Sequence, residues 1–194
     1  MMSKTKRILF FLLDLILVGV LVYIDRITKL LAVDHLKDKD PYEVIAHFFE
    51  LRYLENRGAA FGMLQNQREL FIAVSVIFLV VIVILLILFP CTSKYRPLRI
   101  CLVLIAAGAI GNLYDRITLN YVIDFLYFIY IDFPIFNVAD IYVTVAAFAL
   151  VILFIFIYKD EDLNIKNINK VKKHSSMVDI PRQVKDDFDN PDEL

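Results

Sequence analysis

The sequence predicts an α-helical integral membrane protein with four transmembrane helices, a small extracytoplasmic β-sheet and an interfacial amphipathic segment. Three observations predict this class. The 194 residues are 59% hydrophobic, their mean hydropathy is +0.65, and the charged residues are gathered into blocks between four long apolar stretches. Such a chain is too apolar for a domain that folds in water. The formal net charge of −1 also excludes the basic surface that a nucleic-acid-binding protein requires.

Four apolar windows are long enough, or nearly so, to cross a bilayer as helices. A hydrocarbon core of about 30 Å requires roughly 20 helical residues, and a helix satisfies its own backbone hydrogen bonds in lipid. The predicted helices cover about residues 8–24, 70–89, 98–114 and 138–158. They form one membrane domain over residues 1–160. Residues 161–194 are predicted to be a polar cytoplasmic tail that is disordered, because it lacks apolar periodicity.

The distribution of Lys and Arg predicts the orientation of the helices. Basic residues cluster in the N-terminal tail, in the 90–99 loop and at the start of the C-terminal tail. Cytoplasmic loops carry such an excess of positive charge, so both termini are expected in the cytoplasm. The loop at 25–69, with seven basic and eight acidic residues, then lies on the outer side.

The two outer loops differ in pattern. Residues 49–55 alternate between apolar and charged side chains, which is typical of a strand with one wet face. Residues 119–136 are crowded with Tyr and Phe, a composition that settles at the level of the lipid headgroups. We therefore expect a small sheet on the outer surface and an interfacial segment beside it.

Ionisable residues within or beside the predicted helices are candidates for function, because a charge in a membrane is costly. They are Asp14, Asp25, Lys29, Asp115, Arg116 and Asp140. Asp115 ends one predicted helix and Asp140 begins the next, so the two carboxyl groups lie at one depth on the outer side. Two close carboxyl groups share a proton, so that one can activate water while the other protonates the departing group. This is the apparatus of an aspartic peptidase.

The same residues have simpler explanations, which the spacing leaves open. Asp140 follows Asn137 by three residues, as in a helix cap, and Asp115 can pair with the adjacent Arg116. Asp25 and Lys29 are spaced as an ordinary helical ion pair. Asp14 lies in the middle of a predicted helix with no evident partner.

A third group of candidates lies in the outer loop. Asn56 and Gly58 begin a run of small residues that permits a close backbone approach or forms a simple turn. The three histidines and two cysteines are scattered, so neither a zinc site nor a serine mechanism is supported.

Five motifs together resemble the lipoprotein signal peptidase family, also called signal peptidase II. The motifs are DRITK at 25–29, NRGAAFG at 56–62, GAIGNLYDR at 108–116, VIDF at 122–125 and FNVAD at 136–140. They occur in the family's order over about residues 5–160. One departure is Arg26, which stands where many members have Gln.

The resemblance implies an aspartic endopeptidase of the bacterial cell (inner) membrane. It would cleave prolipoproteins on the N-terminal side of a cysteine modified with diacylglyceryl, without a metal or an organic cofactor, and would be inhibited by globomycin-type cyclic peptides. The catalytic pair maps onto Asp115 and Asp140. Its partners would be the prolipoprotein substrates and membrane lipids. Residues expected to bind substrate or support the site are Asn112, Arg116, Asn137, Asn56, Gly58, Asp25, Lys29 and Asp124.

Two other classes of function remain as alternatives. A small proton- or cation-coupled transporter subunit would use Asp14, Asp115 and Asp140 to line a path across the membrane. A noncatalytic assembly factor would use Gly108 and Gly111 for helix packing. A site that faces one side of the membrane would favour the peptidase.

Overall fold

The computed structural model describes residues 4–58, 67–164 and 168. Most of the predicted tail, 161–194, and residues 59–66 of the outer loop lie outside the described residues. The described chain contains four long helices, a three-stranded antiparallel sheet and one short terminal helix. The four-helix and small-sheet architecture predicted from the sequence is confirmed.

The four long helices are apolar and long enough to cross a membrane. Their bounds are α1 (Lys4–Leu36), α2 (Arg68–Leu88), α3 (Arg96–Thr118) and α4 (Val138–Phe156). Helix α1 continues to Leu36, well past the predicted end at residue 24. It does so because the charged side chains of Asp25 and Lys29 are buried against other helices, where they pair instead of ending the helix. Most of the outward-facing residues of the four helices are large and apolar, as expected for a surface in contact with lipid.

Helix α3 is the central helix, because it packs against α1, α2 and α4. Its buried surface is rich in small residues, among them Ala107 and Gly108. A Cβ atom added to Gly108 would lie 2.4 Å from the backbone oxygen of Ala139 and 2.7 Å from Cγ2 of Val143. The absence of a side chain at Gly108 thus lets α3 and α4 come into close contact, as small residues do at helix interfaces in membranes.

Gly108→Ala is expected to destabilise the protein, by about 1–3 kcal/mol, because the new methyl group would meet a backbone oxygen that cannot move without α4. The measurement is thermal unfolding of the purified protein in detergent. Gly19→Ala is the matched control, because a Cβ atom at Gly19 would meet nothing within 4 Å. Equal melting temperatures for the two variants would contradict the close packing of α3 on α4.

The sheet lies at the end of the helix bundle where α4 begins. Its strands are β1 (Tyr42–Ile45), β2 (Phe49–Asn56) and β3 (Val122–Phe128), in that spatial order. Strand β2 contains the alternating segment that predicted a strand. Strand β3 and a 3₁₀ turn at Ile129–Ile131 occupy the aromatic segment 119–136. The sequence predicted an interfacial segment here and did not indicate a strand.

The last turns of α1 hold the sheet in place. Ala32 and Leu36 of α1 form a buried apolar cluster with Ile123 and Phe125 of β3. The chain passes from α3 to β3 through Asn120, whose φ of 68° lies in the left-handed region that Asn tolerates better than most residues. This tight turn brings β3 back over the end of α3.

Asp14 has a partner at the end of the bundle opposite the sheet. The Nη2 atom of Arg99 pairs with Oδ2 of Asp14, so that this intramembrane acid is matched by a cation across the bundle. The Nη1 atom of Arg99 donates to the backbone oxygens of Leu86 and Phe89, at 2.6 and 2.9 Å, and so satisfies carbonyl groups at the end of α2. The Asp14–Arg99 pair therefore joins three helices.

Candidate active site

Lys29 lies at the centre of a buried charge cluster where α1 meets α3. Its side chain is 0% exposed. The Nζ atom lies 2.9 Å from Oδ2 of Asp25 and 3.0 Å from Oδ2 of Asp115, and it donates to Oδ1 of Asn112 at 2.8 Å. These three acceptors match the three N–H groups of an ammonium ion. The helical pair of Asp25 and Lys29 predicted from the spacing is present.

Both carboxyl oxygens of Asp115 have partners in this cluster. Besides Lys29, it accepts a hydrogen bond at 3.2 Å from Nη1 of Arg26 and one at 3.3 Å from the backbone N–H of Ile123. Its side chain is 0% exposed. The neighbouring Arg116 instead places its guanidinium 4.7 Å from the ring centroid of Phe71. The rim pair of Asp115 with Arg116, one explanation left open by the sequence, is thus replaced by pairs with α1.

Asp140 is held at the first turn of α4. Its Oδ2 accepts from the backbone N–H of Asn137 at 3.1 Å, and its own N–H donates to Oδ1 of Asn137 at 3.1 Å, a reciprocal capping box. Its Oδ1 accepts from Nδ2 of Asn112 at 2.8 Å. The capping explanation of the Asn137 and Asp140 spacing is therefore correct, and it also fixes the carboxyl group.

Asn137 connects Asp140 to a second carboxyl group, that of Asp124 on β3. The Nδ2 atom of Asn137 donates to Oδ1 of Asp124 at 2.6 Å, and Nδ2 of Asn56 donates to Oδ2 at 2.7 Å. Burial, together with the nearby carboxylate of Asp140, raises the pKa of Asp124 to about 7. Near neutral pH, Asp124 is thus protonated in a large fraction of molecules.

A cavity of about 460 Å³ opens beside these two carboxyl groups. The polar side chains of its wall are those of Asn56, Asn112, Arg116, Asp124, Asp140 and Thr144, and Gly58 also lines it. The apolar part comes mainly from the aromatic segment and from α4, and comprises Val122, Phe128, Phe133, Pro134, Ile135, Phe136, Ile141 and Val145. A largely apolar cavity with a few convergent polar groups is typical of a binding site for an apolar substrate.

The residues predicted from the sequence separate into two layers. Six of them line the cavity just described: Asn56, Gly58, Asn112, Arg116, Asp124 and Asp140. Asn56 also accepts a hydrogen bond from the N–H of Gly58 at 3.0 Å. The other four, Asp25, Lys29, Asp115 and Asn137, are buried and are not among the lining residues. The predicted turn after Asn56 continues at residues 59–62, outside the described residues.

Two cations near the site were missed by the sequence reasoning. Arg26 was noted only as a departure from the family's usual residue, yet its Nη1 lies 3.2 Å from Oδ1 of Asp115. Arg68, at the start of α2, donates to the backbone oxygens of Arg116 and Ile117, at 2.7 and 3.1 Å. It thereby provides hydrogen-bond donors for carbonyl groups in the last turn of α3, which lack partners within the helix. Both lie at the ends of apolar segments, where a charged residue is a candidate for function, but the sequence alone does not show which groups they contact.

Within the described part of the chain there is no group of three or more His, Cys, Asp and Glu side chains that could hold a metal ion. The titratable groups at the cavity are the carboxyl groups of Asp124 and Asp140 and the guanidinium of Arg116. What this arrangement can provide is proton transfer between two carboxyl groups and a fixed positive charge next to them.

Comparison with known proteins identifies relatives of the chain. A family model described as signal peptidase (SPase) II matches residues 16–156. The lipoprotein signal peptidase of Caldanaerobacter subterraneus subsp. tengcongensis is 46% identical over 143 residues, which are 73% of this chain and 95% of that protein. That of Clostridium tetani is 40% identical over 152 residues, which are 77% of this chain and 94% of that protein.

Two solved structures, each described as a bacterial membrane enzyme, have a similar fold. One aligns with a TM-score of 0.66 and 29% identity over 73% of this chain and 87% of that chain. The other aligns with a TM-score of 0.64 and 30% identity over 74% of this chain and 92% of that chain.

Proposed function

Because the chain belongs to the signal peptidase II family and has lipoprotein signal peptidase activity, we propose that Asp140 and Asp124 are the two carboxyl groups that hydrolyse the signal peptide bond. The observation that carries this proposal is that both line one cavity and both accept hydrogen bonds from Asn137. The sequence pattern paired Asp140 with Asp115 instead. That pairing stays a prediction, and the cavity geometry favours Asp124.

In the proposed reaction the pair carries one shared proton, as two neighbouring carboxyl groups do. The ionised member takes a proton from a water molecule, and the water oxygen forms a bond to the carbonyl carbon of the scissile peptide. The protonated member donates to the carbonyl oxygen. When the carbon–nitrogen bond breaks, one carboxyl group donates its proton to the departing amine. The other takes a proton from a hydroxyl of the tetrahedral intermediate as the new carboxylic acid forms, so the pair again holds one proton.

The neighbouring residues have supporting roles in this proposal. Arg116 provides a positive charge near the oxygen on which negative charge develops. Asn112 and Asn137 hold Asp140, and Lys29 in turn holds Asn112. Asp115 is a positioning residue, because it fixes Lys29 and Arg26 but does not line the cavity.

The proposal extends to substrate and location. The substrates are prolipoproteins whose cysteine carries a diacylglyceryl group. The enzyme lies in the bacterial cell (inner) membrane with both termini in the cytoplasm, and its cavity faces the extracytoplasmic side. A lipid-modified cysteine and an apolar signal helix both stay in the bilayer, so the scissile bond is brought to the membrane rim, where effective concentration is high. The apolar cavity wall suits such a substrate.

The experiment that tests the activity uses the purified protein and a diacylglyceryl-modified prolipoprotein, with and without globomycin. Mass determination of the products should reveal the intact signal peptide, released at the bond before the lipidated cysteine, only in the sample without inhibitor. Cleavage at another bond, or cleavage of an unlipidated precursor at the same rate, would contradict the proposed substrate class.

The pKa of Asp124 leads to a prediction about pH. If the proton on Asp124 is needed, kcat/KM falls as the pH rises through about 7. Asn56 stabilises the ionised form of Asp124 by donating to it, so Asn56→Ala should raise this pKa. The alkaline limb of the pH profile should then move upward by about one pH unit. Tyr53→Phe, on the same strand, is the control and should leave the limb in place. A shift to lower pH would refute the role of Asp124.

A further inference from the structure

A second cavity, of about 310 Å³, lies between α1 and α3. It shares no lining residue with the cavity at Asp124 and Asp140. Its wall consists of Gly19, Val22, Tyr23, Asp25, Arg26, Gly111 and Tyr114. None of the functions proposed above uses this cavity.

The shape of the cavity is that of a groove along α1. A Cβ atom at Gly19 would meet nothing within 4 Å, so this position leaves open space next to the helix. From Gly19 to Arg26 the helix rises about 10 Å. Tyr23 and Tyr114, which line the groove, are 66% and 47% exposed. They therefore lie on the surface of the bundle, where the exposed apolar side chains face lipid. Tyrosine at this place is typical of the headgroup level of a bilayer.

Arg26 stands at the upper end of the groove. Its guanidinium carbon lies 5.0 Å from the ring centroid of Tyr114, and its Nη1 donates to Asp115. The side chain is 29% exposed, whereas Asp25, Lys29 and Asp115 are almost completely buried. Of these four charges, therefore, the one that reaches the surface is positive. Asp25 also lines the cavity, but its charge is compensated by Lys29 at 2.9 Å.

We propose that this groove binds an anionic phospholipid of the surrounding bilayer, with the phosphate at Arg26 and one acyl chain lying along α1 over Gly19. A guanidinium binds phosphate oxygens through paired N–H donors, and the pair with Asp115 uses an N–H of Nη1 alone. Apart from Asp25, whose charge Lys29 compensates, the walls below Arg26 consist of Gly, Val and Tyr residues, which suit a hydrocarbon chain. An anionic lipid is favoured over a zwitterionic lipid, whose own cation competes with Arg26 for the phosphate. The inference does not depend on which carboxyl groups catalyse hydrolysis.

Native mass spectrometry of the full chain in detergent tests this site. The protein is titrated with phosphatidylglycerol or with phosphatidylcholine, and the fraction that retains one lipid is measured. The wild type should retain phosphatidylglycerol in preference. Arg26→Gln should reduce that affinity by about tenfold, the value of one charged hydrogen bond. Gly19→Leu should fill the groove and reduce the retention of both lipids.

Arg52→Gln is the matched control, because Arg52 is an exposed arginine on the sheet, away from the groove. Each variant is first checked for an unchanged melting temperature without lipid. Arg26→Gln still tests the proposal if Gly19→Leu fails to fold, because Arg26 is partly exposed and Asp115 keeps its pair with Lys29. The proposal is overturned if Arg26→Gln binds phosphatidylglycerol as the wild type does, if phosphatidylcholine binds equally well, or if Arg52→Gln causes the same loss.

Discussion

Asp124→Asn is expected to lower kcat for prolipoprotein cleavage by about 10³-fold or more, while the folded protein still binds a globomycin-type inhibitor. The amide has the volume of the carboxyl group but cannot supply or take up the shared proton. Asp140→Asn should have an effect of the same size for the same reason. Turnover is measured by mass determination of the released signal peptide, and inhibitor binding by calorimetry on the same preparations.

The variant Asp115→Asn decides whether Asp140 acts together with Asp124 or with Asp115. We expect this variant to be less stable, because it weakens the contacts of Lys29 and Arg26, but to retain measurable turnover in the fraction that remains folded. Asp34→Asn is the matched control, since the side chain of Asp34 is 80% exposed. If folded Asp115→Asn lost turnover as completely as Asp140→Asn while Asp124→Asn retained it, the pair predicted from the sequence would replace ours.

Lys29→Met should destabilise the protein by about 3–5 kcal/mol, the typical cost of removing one partner from a buried ion pair. The side chain is fully buried, and its loss leaves Asp25 and Asp115 without the cation between them. Thermal unfolding in detergent measures the change. Turnover should fall as well, because Asn112 loses the donor that orients it toward Asp140.

The control for this prediction is Lys37→Met. Lys37 also pairs with an acid, Glu55 at 3.1 Å, but its side chain is 39% exposed, and such surface pairs contribute about 0–1 kcal/mol. The double variant of Lys29→Met with Asp115→Asn should recover part of the stability lost in Lys29→Met alone. Fully additive losses would show that these two residues do not interact.

The sequence was sufficient for the parts of the fold that depend on local composition. The four apolar windows predicted four helices, and the alternation at 49–55 predicted β2. The end of α1 was not predictable in this way. Charged residues such as Asp25 and Lys29 usually mark the end of a span. Here the helix continues past them because Lys29 pairs with Asp115 and Asn112. The backbone N–H of Ala139 also donates to Asp25 at 2.9 Å.

The same limit applies to the site. Gly108, Gly111 and Asp115 are all buried residues of α3, but their spacing does not reveal the cations of α1 that pair with Asp115. Asp124 follows α3 by a turn at Asn120, and its position beside Asp140 depends on how β3 pairs with β2. Local patterns carry no information on such pairing, so Asp124 entered the prediction only through a motif.

The pair of Asp25 and Lys29 has a consequence for biogenesis. Synthesis proceeds from the N-terminus, so α1 enters the bilayer before α3 exists. Because the two residues lie one helical turn apart, they neutralise each other within a single segment and lower the cost of insertion. Asp14, in contrast, has no partner in α1 and is neutralised only when Arg99 of α3 has been inserted. Lys29→Met therefore leaves α1 with a second unmatched acid as it inserts, whereas Arg99→Leu has no effect until α3 has been synthesised. Proteases that survey membrane insertion should degrade Lys29→Met before Arg99→Leu.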